Sequence, residues 1–148
     1  MKVQIEKRND GASVLRCLRD DGTVTFQKHG GKQAVFYPVH DLTHFALESE
    51  LPRLSGFFTL VASGWEIDET TGKAAKGPIP DEAMAVERIV GYLDLERGGV
   101  ARFSASDLGL SDDEVERVRA RMRELLSRWE EVPVGGMMEL EWTAPSSR

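Results

Sequence analysis

Cysteine is almost absent from this chain, and long apolar runs are absent altogether. Cys17 is the single cysteine among 148 residues, which excludes an internal disulfide. No stretch approaches the roughly 18 consecutive apolar residues that a membrane-spanning helix needs. Residues 1–10 mix charged and apolar side chains where a signal peptide would have a continuous apolar run. These absences predict a cytoplasmic protein in a reducing compartment, without a membrane contact.

An excess of positive charge is also lacking. The chain has 19 lysines and arginines against 25 acidic residues, a formal net charge of -6 and a pI near 5.1. Residues 1–40 hold seven basic and four acidic side chains, but the basic ones are scattered over predicted strands and turns. A surface of this sign repels a nucleic-acid duplex. We therefore expect no nucleic-acid binding, and a small molecule or a protein as the partner.

The length fits a single domain, residues 1–148, that buries its own core. Residues 2–7 and 23–28 alternate apolar and polar side chains with the period of a half-buried strand. Turn sequences at residues 9–11 and 20–22 bound a third apolar segment between them. Three strands joined by tight hairpins are predicted.

Helical periodicity begins after this meander. Residues 33–37 favour a fourth strand or an extended lead, ended by Pro38 because the residue before a proline avoids the helical region. From Asp41 the apolar period is that of a helix, which Pro52 stops.

Three more helices and a last strand follow. A short apolar helix at residues 56–63 has Ser55 as its predicted cap and Gly64 as its left-handed exit. Residues 81–97 form a helix with Asp81 at its N-cap, and residues 111–131 begin with the capping box of a serine and a glutamate. Side chains predicted to be buried in these helices are Phe57, Phe58, Leu60, Val118, Met122 and Leu125. The last strand alternates Met138, Leu140 and Trp142 with glutamates.

This order of elements predicts an α+β fold. The antiparallel sheet consists of the N-terminal meander and the C-terminal strand, and about four helices cover one of its faces. Residues 66–80 carry few apolar side chains and predict a surface loop, long enough to act as a mobile lid.

One histidine cluster could carry chemistry. His40 and His44 are four residues apart, and Glu48 follows after another four. If the helix already includes His40, all three side chains lie on one face, a spacing that can bind a divalent metal such as zinc. The pentad resembles the H-E-x-x-H motif of zinc peptidases, with Asp41 in place of the glutamate. Metal ligands are then His40, His44 and Glu48, with Asp41 as catalytic base or orienting group, although aspartate is one methylene shorter.

A structural explanation competes with this site. Asp41 directly precedes the apolar period, where an N-cap belongs. If Asp41 is the cap, His40 lies outside the helix, and the four-residue spacing no longer places His40 and His44 on one helix face. His44 is then a hydrogen-bonded core residue and Glu48 a solvated carboxylate.

Other candidates are weaker. Cys17 lies in an apolar strand and is predicted to be a small buried hydrophobic group. The arginines at 117, 119, 121 and 123 are predicted to lie on a solvated helix face, paired with acids. A small-molecule pocket under residues 66–80, lined by Trp65, Phe57 and Phe58, is a third possibility.

Residues 38–48, with Gly56-Phe57-Phe58 and Gly64-Trp65 after them, resemble a group of small bacterial proteins that share an HDLxHF segment. The resemblance covers about thirty residues in the middle of the chain. It implies that the histidine segment and the glycine–tryptophan pair belong to one unit, and it brings no substrate, cofactor or catalytic role.

From the sequence we favour a binding or interaction module without catalysis, since no complete set of nucleophile, base and oxyanion donors can be assembled. The alternative is a small divalent-metal-dependent hydrolase that uses the cluster of His40, Asp41, His44 and Glu48. A homodimer is a further possibility, because an exposed strand edge can pair with a second copy of the chain.

Overall fold

The chain begins with the predicted meander, as seen in a computed structural model that describes residues 1–71 and 77–143. Strands β1 (Lys2–Lys7), β2 (Ser13–Leu18) and β3 (Val24–His29) pair antiparallel through tight turns. Strand β4 (Met137–Glu141) returns antiparallel to β1, so the strand order is β3-β2-β1-β4. The predicted α+β fold with one antiparallel sheet is confirmed.

Helices pack against the sheet face that carries the buried alternate residues. They are α1 (Gln33–Glu50), α2 (Phe57–Ala62), α3 (Asp81–Arg97), α4 (Ala105–Leu108) and α5 (Asp112–Glu131), with a 3-10 turn at Ile67–Thr71. The strand residues Val3, Ile5 and Cys17 share one hydrophobic core with Leu42 and Phe45 of α1. Cys17 is fully buried there, as predicted. Among the described residues, none of the helices combines the length and apolar character that crossing a bilayer requires.

Helix α1 begins eight residues earlier than predicted. The prediction of a strand or an extended lead at residues 33–37 is wrong, because these residues form the first turns of the helix and Pro38 lies inside it. The proline lacks the N–H that would bond the carbonyl of Ala34, a loss that a helix interior normally avoids. Tertiary packing outweighs this penalty: Ala34 and Pro38 are buried, and the ring of Tyr37 stacks on His29.

The helix caps differ in part from the predictions. Asp41 is not an N-cap, since α1 continues through it. Gly56, not Ser55, caps α2, and Pro80, not Asp81, caps α3. Of the predicted N-caps, only Ser111 at α5 is confirmed, and its capping box has hydrogen bonds in both directions.

Burial follows the predicted helix faces with two exceptions. Five of the six predicted core residues are buried, but Leu60 is half-buried. Arg119 is not on a solvated face: its guanidinium makes a two-pronged contact with Glu96 and donates to the carbonyl of Phe103. The short α4, which the sequence did not predict, precedes α5 here.

Residues 66–80 were predicted to form a loop and a lid. The described part of this segment includes the 3-10 turn, anchored to β3 where the backbone N–H of Ile67 donates to Thr25. Residues 72–76, in the middle of the segment predicted to be a lid, lie outside the described residues.

Candidate metal centre

Helix α1 places both histidines of the pentad on one face. Because the helix includes residue 40, His40 and His44 are one turn apart, and their ring centroids are 4.9 Å apart in an edge-to-face arrangement. The prediction that they lie near each other is confirmed. The alternative with Asp41 as cap, which would have separated them, is wrong.

Helix α3 brings two carboxylates to these rings. Glu87 and Asp94 are seven residues apart, which is about two helical turns. Their side chains therefore lie on the same face, toward α1. One ligand atom each from His40, His44 and Glu87 all lie within 4.8 Å of one another.

Each imidazole contacts a carboxylate through Nδ1. His40 Nδ1 is 2.6 Å from Asp94 Oδ2, and His44 Nδ1 is 2.8 Å from Glu48 Oε2. The other nitrogen of His44, Nε2, is 3.1 Å from Glu87 Oε1. Since an ionised carboxylate only accepts hydrogen bonds, His44 donates from both nitrogens when it is protonated.

These contacts shift the pKa values of the cluster. Burial by itself lowers the pKa of His44, but the hydrogen bonds to Glu48 and Glu87 outweigh it and raise that pKa to about 10. Burial raises the pKa of Glu87 and Asp94, yet the bonds from His44 and His40 outweigh burial and keep both values below the usual range. At neutral pH these shifts favour a protonated His44 beside an ionised Glu87, and an ionised Asp94.

Glu48 lies at the opposite nitrogen of His44 from Glu87. Its side chain is fully buried, and its Oε1 accepts a 2.9 Å hydrogen bond from the backbone N–H of Phe58 in α2. Gly56 leaves room for this carboxylate, because a Cβ there would come within 2.6 Å of Glu48 Cδ. Of the predicted ligands, the structure thus brings His40 and His44 together with Glu87, and places Glu48 behind the ring of His44.

Asp41, the predicted base, lines the same cleft as both histidines. The residue is buried, and burial raises the pKa of its carboxyl to about 7, although His40 and His44 oppose the shift. A carboxyl group with this pKa is half ionised near neutral pH and suits proton transfer.

The cleft has a volume of about 290 Å³. Its wall combines the cluster with aromatic, aliphatic and neutral polar side chains: Gln27, Tyr37, His40, Asp41, His44, Phe57, Ile67, Thr70, Thr71, Ile79 and Glu87. Of the three residues predicted to line a pocket here, Phe57 does so. Phe58 is instead fully buried in the core, and Trp65 is not among the lining residues.

The third histidine does not join the cluster. His29 stacks on Tyr37 with ring centroids 4.0 Å apart, and burial lowers its pKa. Its role in the described structure is to pack against the aromatic wall of the cleft.

Sequence reasoning missed Glu87 and Asp94. The buried apolar side chains of α3 include Val86 and Leu93, and each missed acid directly follows one of these. Two acids that lie beside buried apolar residues and are seven residues apart are at the edge of the buried face of a helix. This pattern could have identified both acids as residues near the core, but the sequence does not say which helix packs against that edge.

No family model, no curated protein and no solved structure matches the chain.

Proposed function

We propose that this chain binds a divalent metal ion, such as zinc, through His40, His44 and Glu87, and uses it to hydrolyse a small substrate in the cleft. The observation that carries the proposal is the convergence of three ligand atoms within 4.8 Å at the wall of a cleft. Two imidazoles and one carboxylate are the protein ligands of many catalytic zinc sites, which keep a further position for water or substrate.

The spacing is close to what a metal requires. Ligands about 2.1 Å from a tetrahedral ion are about 3.4 Å from one another. The separations here, at most 4.8 Å, need to shorten by at most about 1.4 Å, which side-chain rotation can supply. Glu87 is half-exposed at the surface of α3, so it has room to move.

Asp41 supplies the base in this proposal. A bound metal lowers the pKa of its water toward about 7. Asp41 lines the same cleft and would take a proton from that water and return it to the leaving group, since its pKa in the metal-free protein is already near neutral pH, at about 7. Asp41 and His40 both line the cleft, so the proposed base and ligand lie at the same site.

A binding module without catalysis is the second candidate, and one observation favours it. His44 already satisfies both ring nitrogens with Glu48 and Glu87, so the cluster is complete with a proton in place of a metal. In that case the cleft binds its partner without chemistry. The cytoplasmic location and the homodimer stay predictions.

Metal analysis tests the metal binding that the hydrolase requires. Protein purified without a histidine tag is expected to take up one equivalent of zinc, and zinc at 100 times its dissociation constant should add about 2.7 kcal/mol to the free energy of unfolding. His40→Ala and Glu87→Gln should lose this gain, whereas Glu82→Gln, an exposed acid on the same helix, should keep it. Less than about 0.1 equivalent of metal with no melting shift on adding zinc, manganese or nickel contradicts metal binding.

Hydrolysis is measured separately with 4-nitrophenyl acetate as the probe. Zinc-dependent turnover that His40→Ala abolishes supports the hydrolase. Zinc binding without turnover of this ester or of a matched amide favours the binding module.

A further inference from the structure

Both histidines of the proposed metal site have one ring nitrogen already engaged by a carboxylate. Asp94 contacts Nδ1 of His40, and Glu48 contacts Nδ1 of His44. Both contacts are short, and both acids are shielded: Glu48 is fully buried, and Asp94 is 14% exposed. Each Nδ1 is thereby occupied, which leaves Nε2 as the nitrogen for another ligand; in His44 this nitrogen already contacts Glu87, the third proposed ligand.

We infer that Asp94 and Glu48 are positioning residues that direct Nε2 of His40 and His44 at one shared metal ion. The inference rests on the proposed metal site and names how that site is held. A carboxylate that accepts from Nδ1–H fixes the tautomer with a free Nε2, fixes the ring orientation and makes Nε2 a better electron donor.

The direction of His44 supports this arrangement. Its Nε2 is the nitrogen that contacts Glu87, the third proposed ligand, at 3.1 Å. A metal placed between this nitrogen and Glu87 replaces the Nε2 proton, which leaves to solvent, while the Nδ1–H bond to Glu48 stays intact. No ligand has to reverse its ring.

Further contacts hold both positioning residues in place. Glu48 is tied to α2 through the N–H of Phe58 and is packed against Gly56. Asp94 also forms an ion pair with Arg97, whose guanidinium donates to Thr43 of α1. Helix α1 therefore supplies both histidines and the positioning residue Glu48. Helix α3 supplies the proposed ligand Glu87 and the positioning residue Asp94.

The test is a long-range proton–nitrogen correlation spectrum of the 15N-labelled full chain, recorded with and without zinc. The two-bond couplings of each ring show which nitrogen carries the proton and which binds metal. We expect zinc bound to Nε2 of His40 and His44, with the proton on Nδ1, while His29 does not change and serves as internal control. Coordination through Nδ1 of either ring overturns the inference. Absence of any change in His40 and His44 overturns the proposed metal site itself.

Two variants test the positioning role. In Asp94→Asn and Glu48→Gln, the amide donates to Nδ1 and favours the tautomer with a proton on Nε2, which cannot bind metal. We expect zinc affinity to fall by about 10- to 100-fold in each, with the coordinated ring changing its coupling pattern. The matched controls are Asp81→Asn and Glu50→Gln on the same two helices, which should stay close to wild type. Unchanged zinc affinity in both test variants contradicts the positioning role. Should a variant fail to fold, the wild-type spectrum decides.

Discussion

A methyl group added at Gly56 would clash with Glu48, the carboxylate that contacts Nδ1 of His44. A Cβ at this position would lie 2.6 Å from Glu48 Cδ and 2.7 Å from Val86 Cγ1, against 3.4 Å or more in ordinary contact. The φ of Gly56 is -120°, so the conflict is one of space and not of backbone conformation. The Gly56→Ala variant therefore has to displace two side chains, both fully buried.

The cost can be built up from these contacts. Forcing an extra methyl group into a close-packed region costs about 1–3 kcal/mol. Moving Glu48 also weakens its hydrogen bond from the N–H of Phe58, and an unsatisfied buried donor costs about 1–3 kcal/mol. We expect Gly56→Ala to lower the free energy of unfolding by about 3 kcal/mol and to weaken zinc binding, because Glu48 moves away from His44.

Urea unfolding measures the first effect as a lower midpoint with an unchanged slope. Gly91→Ala is the matched control: Gly91 lies inside α3 with nothing within 4 Å of an added Cβ, so alanine should stabilise by about 0.5–1 kcal/mol. A Gly56→Ala variant within about 0.5 kcal/mol of wild type would refute the steric reasoning.

Three further predictions concern charge. In the metal-free protein, the raised pKa of His44 contributes stability that is complete below pH 6.5 and is lost as the pH rises to about 10. The difference in free energy of unfolding between wild type and His44→Ala, measured in urea, should therefore shrink over that pH range. Asp41→Asn should reduce zinc-dependent ester hydrolysis by about 100-fold or more and leave zinc affinity within about threefold, since it removes a base and no ligand. Arg119→Ala should lower the free energy of unfolding by about 2 kcal/mol, because it leaves Glu96 without its partner in a largely buried ion pair. Arg117→Ala removes an exposed ion pair with Asp113 and should lower the free energy of unfolding by less than about 0.5 kcal/mol.

Each of these has a contradicting result. A pH-independent difference for His44→Ala would mean that Glu48 and Glu87 do not hold its proton. Full hydrolysis by Asp41→Asn would assign the base to another group. Equal losses of unfolding free energy in Arg119→Ala and Arg117→Ala would show that burial does not make the first ion pair more stabilising than the second.

Local patterns were sufficient for much of the fold. Tight turns at glycines with positive φ, at Gly11 and Gly22, join the meander as predicted. The capping box at Ser111 correctly marked the start of α5, because its hydrogen bonds are made within one helical turn. The prediction failed at Pro38, where the burial of Ala34 and Pro38 and the stacking of Tyr37 on His29 of the preceding strand outweigh the local penalty.

The sequence by itself determined that two histidines and a glutamate recur every four residues, and hence that they share a face of any helix that includes them. Only the tertiary structure decided that the helix starts early enough to include His40. It also decided that the facing helix supplies Glu87 and Asp94, and that Glu48 lies behind the ring of His44 and outside the group formed by His40, His44 and Glu87. The physical reason is range: helix periodicity arises from neighbouring residues, whereas the carboxylates meet the imidazoles only because burying the apolar faces of α1 and α3 packs the two helices together.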